Sequence, residues 1–279
     1  MHSYSTSVKG TNNGVSNMSK REMRGIKEGL RVIVTAGAAG IGRAIAETFV
    51  DRGAKVFICD LDDTALAEMA KACPEIGRFR ADVADQAQVD AFFDVALADL
   101  GGLDVLVNNA GIAGPTAPID EMSPDDWRRT VDINLNSHFY CLRRAVPPLK
   151  ESGNGAIINL SSVAGRLGFA MRTPYAATKW GIVGLTESLS KELGPFGIRV
   201  NCLQPGMVEG DRINRVISAR AEATGKAFDT VEQDMLSNVS LRRTVSGQDI
   251  AEMAVFLCTP MGANVSGQAL SICAGVETI

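Results

Sequence analysis

The 279-residue sequence has very few histidines, few aromatic residues and no long apolar or basic run. Its only histidines are His2 and His138, which argues against a histidine-based metal site. No stretch approaches the roughly 18 consecutive apolar residues of a membrane span. The formal charge of −4, with no basic cluster, disfavours binding to nucleic acid or to an anionic membrane. We therefore expect a compact cytoplasmic protein.

The six cysteines form no CxxC pair, so the clustered ligands of a zinc site are lacking. Four of them lie within apolar runs: Cys59, Cys202, Cys258 and Cys273. We interpret the cysteines as small core residues in a reducing compartment, and we predict no metal site.

The N-terminal residues 1–28 differ in composition from the rest of the chain. They are rich in Ser, Asn and Gly and have no apolar run that could be a signal-peptide core. We predict a disordered extension, with Met18 as a possible start of a shorter chain. A transit peptide is the alternative, because the first 25 residues are Ser-rich and their one acid is Glu22. Residues 29–279 show one composition and no repeat, which indicates a single domain.

Short apolar runs alternate with segments of helical periodicity. Seven runs predict strands: Leu30–Thr35, Lys55–Cys59, Arg78–Val83, Leu103–Val107, Ala156–Leu160, Ile198–Leu203 and Leu270–Ile272. The intervening periodic segments predict helices: Ile41–Asp51, Thr64–Ala72, Gln86–Leu100, Trp127–Leu149, Tyr175–Leu193 and Gln248–Leu257. Near-continuous apolar strands between amphipathic helices indicate a parallel sheet covered on both faces. The predicted fold class is α/β, a doubly wound, Rossmann-type, seven-stranded parallel sheet.

Residues 208–243 interrupt this alternation. The segment is charged, partly helical and longer than a simple connection needs to be. Ligands of open α/β sheets bind beyond the carboxyl ends of the strands, so an insertion after Leu203 is predicted to be a substrate lid.

The first predicted strand runs into a glycine-rich turn, Thr35-Ala36-Gly37-Ala38-Ala39-Gly40-Ile41-Gly42, where a helix begins. Such a turn lets a pyrophosphate approach the backbone and the helix N-terminus, although any tight turn also favours glycine. The next strand ends at Asp60, 18 residues beyond Gly42, close to the spacing of a ribose-binding acid. Its carboxylate would repel a 2′-phosphate, and no arginine lies within the turn to offset that repulsion, so NAD is predicted rather than NADP. The alternative, a cap of the following helix by Asp60, is compatible with this role.

From about residue 30 onward, the sequence resembles the short-chain dehydrogenase/reductase family in its compact single-domain form. The resemblance rests on ordered motifs: the glycine turn, Asp60, Asp82-Val83, Asn108-Asn109-Ala110-Gly111, Asn134, Ser162, Tyr175-Ala176-Ala177-Thr178-Lys179 and Pro205-Gly206. It implies cofactor contacts at Gly37, Gly40, Ile41, Gly42, Asp60, Leu61, Asp82, Val83, Asn109, Gly111, Tyr175, Lys179, Pro205, Gly206 and Val208. Within that set, the resemblance places Asp82 at the adenine, Asn109 at the adenine ribose, and the segment after Gly206 at the nicotinamide.

The sequence departs from the family pattern at three places. Ala36 stands where the family has its first turn glycine, and Gly210 stands where a threonine is common. Cys273-Ala274-Gly275 replaces the usual Asp-Gly-Gly. These differences concern cofactor contacts rather than the reacting groups.

The chemistry is predicted to lie at Tyr175 and Lys179, four residues apart on one face of a helix. A phenol with a pKa near 10 is a poor base at neutral pH, but a neighbouring ammonium and a positive nicotinamide lower that pKa. Tyr175 then suits general acid/base catalysis. Ser162 would hydrogen-bond the same substrate oxygen. Ser161 is its rival, but the position of Ser162, thirteen residues before Tyr175, matches the family. Asn134 matches the family's asparagine that supports a water chain to the lysine.

These residues predict an NAD-dependent alcohol dehydrogenase or ketone reductase. One alternative is a catalytically silent NAD(P)-binding sensor, which would not need an intact Ser–Tyr–Lys set. Another is a sugar-nucleotide epimerase or dehydratase, but those relatives have a separate C-terminal domain, for which about 70 residues after Gly206 are too few.

Four arginines are candidates for substrate recognition: Arg166, Arg172, Arg212 and Arg215. A guanidinium could bind a carboxylate, sulfonate or phosphate, or could lie at the surface or a subunit contact. The small-molecule alcohol or ketone substrate is therefore either neutral or anionic. The resemblance also implies a homotetramer with the Trp127–Leu149 and Tyr175–Leu193 helices at one interface.

Overall fold

The computed structural model describes residues 25–276, and within them seven strands form one parallel sheet. The strands are β1 (Arg31–Thr35), β2 (Lys55–Asp60), β3 (Gly77–Arg80), β4 (Val105–Asn108), β5 (Ala156–Leu160), β6 (Arg199–Pro205) and β7 (Ala269–Ile272). Their order in the sheet is β3-β2-β1-β4-β5-β6-β7, and each neighbouring pair is parallel. The strand order reverses between β1 and β4, which is where ligands bind in doubly wound sheets.

Helices cover both faces of this sheet. They are α1 (Gly40–Asp51), α2 (Asp63–Ala72), α3 (Gln86–Leu100), α4 (Pro124–Val131), α5 (Ser137–Ser152), α6 (Thr173–Leu193), α7 (Asp211–Thr224), α8 (Phe228–Ser237) and α9 (Gly247–Leu257). Alternate residues of β1 belong to different apolar clusters: Val32 and Val34 pack on one face, and Ile33 packs on the other. This period-2 alternation explains why the central strands are apolar throughout. The predicted doubly wound fold is confirmed.

Two predicted elements differ from the structure. The helix predicted over Trp127–Leu149 is divided by a π-helical segment, Asp132–Asn136, between α4 and α5. The strand predicted over Arg78–Val83 is β3, which ends earlier. Its last residue, Arg80, pairs with Asp60, the last residue of β2, so the ladder ends with its neighbour.

The predicted N-terminal extension falls outside the described residues as far as residue 24. Ile26, by contrast, packs against the core cluster that contains Val32 and Val34. Within residues 25–276, no helix combines the length and apolarity needed to cross a membrane.

The segment predicted as a lid, residues 208–243, contains α7 and α8. These helices share a small apolar cluster of their own, formed by Met207, Ile217, Val231 and Val239. A parallel bridge between Val208 and Val245 joins the two ends of the segment. The insertion is therefore a packed unit anchored at its base, beyond the carboxyl end of β6.

Candidate active site

Tyr175 and Lys179 lie in the first two turns of α6, beyond the carboxyl end of β5. Pro174 occupies the first turn of this helix, where a missing N–H costs nothing. Both functional side chains are buried, with 8% of Tyr175 and 3% of Lys179 exposed. Lys179 Nζ lies 5.7 Å from the centre of the Tyr175 ring and donates to the Leu160 carbonyl oxygen at 2.7 Å. The last carbonyl of β5 therefore fixes the ammonium beside the phenol.

The surroundings of the pair change both acidities. Burial raises the pKa of Tyr175, but the charges of Arg212 and Lys179, a hydrogen bond with Ser162 and the charge of Arg172 bring it below its ordinary value. Burial lowers the pKa of Lys179 to about 8, although Tyr175 opposes that shift. At neutral pH the ammonium form of Lys179 predominates. The Tyr175 hydroxyl loses its proton more readily than a free phenol does.

The two adjacent serines after β5 have different partners. Ser162 is hydrogen-bonded to the Tyr175 side chain, and its hydroxyl also accepts from the Ala164 N–H at 3.2 Å. The Ser161 hydroxyl instead donates to the Lys179 carbonyl oxygen at 2.8 Å. The geometry therefore places Ser162, and not Ser161, next to the phenol.

Asn134 lies in the π-helical segment and is completely buried. Its Oδ1 accepts from the Ile112 N–H at 2.7 Å, and its Nδ2 donates to the Ile112 carbonyl oxygen at 3.1 Å. Gly111 is the residue before Ile112 in the chain. A Cβ at Gly111 would lie 3.2 Å from Asn134 Oδ1 and 3.5 Å from Lys179 Nζ. The glycine therefore keeps the space between Asn134 and Lys179 open.

The glycine turn joins β1 to α1 without a side-chain cap. Ala36 takes a left-handed backbone with φ of 49°, which costs an L-residue about 1–2 kcal/mol. A Cβ at Gly42 would lie 2.0 Å from the Ala36 carbonyl oxygen, so this glycine is required for the close packing of α1 on the turn. Gly40 has φ of 53°, and no atom lies within 4 Å of the Cβ it lacks. Ala39, the N-cap, makes no side-chain hydrogen bond to α1, so an anion fits this helix end.

Asp60 ends β2 directly beside the turn. One carboxylate oxygen accepts from the Ala38 N–H at 3.1 Å, and the other accepts from the N–H groups of Leu61 (2.8 Å) and Asp62 (3.2 Å). The following helix, α2, is capped by Asp62, which accepts from its first-turn N–H groups. The alternative role for Asp60 is thus taken by its neighbour, and the Asp60 carboxylate is held at the edge of the turn.

Asn109 connects the end of β4 to the turn. Its Nδ2 donates to the carbonyl oxygens of Thr35 and Ala36, both at 3.0 Å. Asp82 follows β3, and its carboxylate accepts from the Ala84 N–H at 2.9 Å. The neighbouring Val83 is buried. The ends of β1, β2 and β4 therefore meet around the glycine turn.

The opposite end of the groove is formed after β6. Pro205 is the last residue of β6, and a Cβ at Gly206 would lie 2.8 Å from Cys273 Cα, so only glycine fits here. Gly210 has φ of 119°, a conformation that the threonine common in the family would adopt only under strain. At position 210, glycine in place of the family's threonine therefore goes together with a backbone conformation that favours glycine.

The four candidate arginines differ in their distance from Tyr175. The guanidinium carbons of Arg172 and Arg212 lie 4.4 and 6.0 Å from the centre of the Tyr175 ring. Arg215 instead lines a cavity of about 530 Å³, together with Arg212 and residues 111–116. Arg166 is exposed, in the loop after Ser162.

Sequence reasoning missed several residues that hold the site together. The Thr35 hydroxyl accepts from the N–H groups of Asn109 and Ala110, and the Thr178 hydroxyl accepts from Asn134 Nδ2 at 3.3 Å. Thr178 lies within the Tyr-x-x-x-Lys motif, but nothing in that motif indicates its partner. Arg129, which also lines the cavity, had no signal in the sequence.

Among curated proteins, the chain is similar to dehydrogenases. It is 34% identical to the 7alpha-hydroxysteroid dehydrogenase of Escherichia coli (strain K12), covering 89% of this chain and 94% of that protein. It is 38% identical to the 2-dehydro-3-deoxy-L-rhamnonate dehydrogenase (NAD(+)) of Sphingomonas sp. (strain SKA58), covering 68% of this chain and 76% of that protein.

A solved structure and a family model agree with this similarity. The crystal structure of a tryptophan-substituted actinorhodin polyketide ketoreductase with NADPH superposes with a TM-score of 0.83 at 31% identity, covering 89% of this chain and 97% of that one. The family model described as enoyl-(acyl carrier protein) reductase matches residues 36–277. With the fold and the ordered motifs already described, these matches show that the chain belongs to the short-chain dehydrogenase/reductase family.

Proposed function

We propose that this protein is an NAD-dependent oxidoreductase that interconverts a secondary alcohol and a ketone. The observation that carries the proposal is the buried Tyr175, whose pKa is held below its ordinary value beside Lys179 and Ser162. That arrangement has a clear chemical use and an energetic cost, since a phenol and an ammonium are both buried. The named relatives are dehydrogenases, which supports the same reaction class.

Tyr175 is the general acid/base of the proposed reaction. In alcohol oxidation its phenolate accepts the hydroxyl proton, and in ketone reduction its phenol donates a proton to the carbonyl oxygen. Lys179 favours the phenolate by its charge. Ser162 hydrogen-bonds Tyr175 and is close enough to orient the same substrate oxygen. Asn134 fixes the loop at Ile112 and borders the space next to Lys179, where a water could carry the proton onward.

The residues around the glycine turn fit a dinucleotide. The uncapped start of α1 at Gly40 and Ile41 suits the pyrophosphate, as does the open space at Gly40. Gly37 and Gly42 allow the turn itself, while Asp60 and Leu61 would bind the adenosine ribose and Asp82 and Val83 the adenine. Asn109 would lie against the adenine ribose, and Gly111, Pro205, Gly206 and Val208 would line the path to the nicotinamide. When bound, the cofactor supplies the hydride acceptor or donor.

NAD is the proposed form of the cofactor. The Asp60 carboxylate lies at the turn with no neighbouring cation among its hydrogen-bond partners, and it would repel a 2′-phosphate. The name of the rhamnonate dehydrogenase specifies NAD(+), whereas the ketoreductase structure holds NADPH. Family membership is compatible with either cofactor, so the proposal depends on Asp60.

We also propose that residues 208–243 close over the substrate and that the protein is a homotetramer. The tetramer is supported by exposed aromatic side chains on two helices that pack together, Trp127 on α4 and Trp180 on α6, and by Phe139 on the adjoining α5. Large exposed apolar side chains grouped in this way mark association surfaces.

The test combines cofactor binding with turnover. Purified protein is titrated with NADH and NADPH by nucleotide fluorescence, and NAD reduction is then followed by absorbance with a panel of secondary alcohols and hydroxy acids. Tyr175→Phe serves as the variant and Tyr140→Phe, a tyrosine on α5, as the matched control. The proposal expects turnover that Tyr175→Phe lowers at least 100-fold and Tyr140→Phe preserves. NADH binding without turnover across the panel would contradict it and favour the sensor function.

A further inference from the structure

Two cationic side chains lie against the proposed acid/base. Arg172 precedes α6, and Arg212 lies in the first turn of α7, forty residues later in the chain. Their guanidinium carbons are 4.4 and 6.0 Å from the centre of the Tyr175 ring. The fold therefore brings two separate segments, one of them the proposed lid, to the same phenol.

Neither guanidinium has a carboxylate partner among the ion pairs of residues 25–276. Arg172 donates to the Ala113 carbonyl oxygen at 2.9 Å, and its buried Nε has no hydrogen-bond partner. Burial, and then the charge of Arg212, lowers the pKa of Arg172, yet a guanidinium stays charged at neutral pH. Contact with an aromatic ring contributes about 0.5–2 kcal/mol but neutralises no charge. The pair therefore has unused capacity for an anion.

A cavity lies beside this pair of arginines. It measures about 530 Å³, within the range of small-molecule sites, and Arg212 lines it together with Arg129 and Arg215. Asp126 is the acid in its lining, so cationic side chains predominate. Ala113, whose carbonyl accepts from Arg172, lies in the same wall. The positive charge is thus concentrated in the wall of a cavity that Arg212 lines and that borders Arg172 at Ala113.

We propose that Arg172 and Arg212 form a carboxylate-binding subsite, so that the substrate is a hydroxy acid or its oxo acid. The inference rests on the proposed oxidoreductase function and specifies its substrate class. The planar guanidinium fork matches a carboxylate through paired hydrogen bonds, and the unpartnered Arg172 Nε supplies one such donor. The position of both guanidinium groups beside the Tyr175 ring puts the acid group near the reacting carbon. The rhamnonate dehydrogenase among the relatives acts, by its name, on a sugar acid.

The experiment measures binding separately from turnover. Protein saturated with NADH is titrated calorimetrically with propionate, butyrate and cyclohexanecarboxylate, each compared with its neutral amide, and with inorganic sulfate and phosphate. The variant is Arg212→Gln, an exposed position where folding is not at risk. The matched control is Arg220→Gln. Arg220 is an exposed arginine of the same helix that is not in the cavity lining and is not among the cations beside the Tyr175 ring.

The subsite predicts that at least one carboxylate binds at least 10-fold more tightly than its amide and more tightly than sulfate or phosphate. Arg212→Gln reduces this discrimination below 3-fold, and Arg220→Gln retains it. Equal binding of all acids and amides, or discrimination unchanged in Arg212→Gln, overturns the inference. Tighter binding of phosphate or sulfate than of every carboxylate overturns the carboxylate assignment.

A turnover assay tests the carboxylate subsite separately from the oxidoreductase function. It compares the hydroxy acids 3-hydroxybutyrate and 4-hydroxycyclohexanecarboxylate, each with its amide. Reduction of NAD by neutral alcohols without acid preference refutes the subsite and leaves the oxidoreductase function intact. Arg212-dependent binding of carboxylates without any turnover refutes the oxidoreductase function and leaves the anion site.

Discussion

Removal of the Asp60 charge is expected to change the relative affinities for NADH and NADPH. The two carboxylate oxygens accept from three backbone N–H groups, those of Ala38, Leu61 and Asp62, so the position of the carboxylate at the turn is fixed. Asp60→Asn removes the charge and keeps the size of the side chain. The new amide turns an NH₂ group toward one of these donors, which costs about 1–3 kcal/mol of stability and leaves most of a typical folding free energy.

The effect on NADPH follows from Coulomb's law. A phosphate monoester carries about 1.5–2 negative charges at neutral pH. With a carboxylate on the order of 5 Å away, the repulsion is about 1.2 kcal/mol at the permittivity of water and about 5 kcal/mol at an effective permittivity of 20. Asp60 is half-buried, so about 2 kcal/mol is expected, a factor of about 30 in affinity. Loss of charge-assisted hydrogen bonds to the ribose also weakens NADH binding, by about 1.5 kcal/mol or more.

The assay is fluorescence titration with NADH and NADPH, which needs no substrate. Wild type is expected to prefer NADH, and Asp60→Asn is expected to shift the affinity ratio at least about 30-fold toward NADPH. Asp62→Asn is the matched control, because it removes a neighbouring carboxylate while asparagine still caps α2. A wild-type preference for NADPH, an unchanged ratio in Asp60→Asn, or an equal shift in Asp62→Asn would refute the reasoning.

Three further predictions concern other parts of the molecule. Gly111→Ala puts a methyl group 3.2 Å from Asn134 Oδ1 and 3.5 Å from Lys179 Nζ, so kcat should fall at least 10-fold; wild-type kcat would contradict this. Burial lowers the pKa of His138 to about 3. Below pH 6.5 the unfolded chain therefore binds a proton at this histidine that the folded chain does not bind, and the free energy of unfolding falls. Urea unfolding should show wild type losing about 2 kcal/mol more than His138→Gln between pH 7.5 and pH 5, and equal losses would refute this origin. Trp180→Glu should convert the proposed tetramer to smaller species in light scattering, and an unchanged mass would exclude α6 from the proposed interface.

Features that are local in the sequence could be predicted well. The central strands of the sheet are runs of largely apolar residues, and Tyr175 and Lys179 share a helix face because α6 extends through both. The glycine turn and Asp60 are also close in space, because parallel strands end at the same edge of the sheet. Each of these features depends on one element or on two adjacent strands.

Features that depend on tertiary packing could not be predicted in the same way. The π-helical segment that carries Asn134 has no distinct periodicity, and its contact with Ile112 joins residues 22 apart. Arg172 and Arg212 were candidates for an anion site, but only the packing of α7 places both beside Tyr175. The burial of His138 likewise has no sequence signal.

In the proposed alcohol oxidation, hydride leaves the carbinol carbon while Tyr175 accepts the hydroxyl proton. The most direct measurement uses the best alcohol of the panel, deuterated at that carbon, with NAD and either wild type or Tyr175→Phe. Mass spectrometry of the reduced cofactor then follows the deuterium. We expect one deuterium per cofactor reduced by wild type, and a rate at least 100-fold lower for Tyr175→Phe. Reduced cofactor without deuterium, or equal rates for the two proteins, would contradict this expectation.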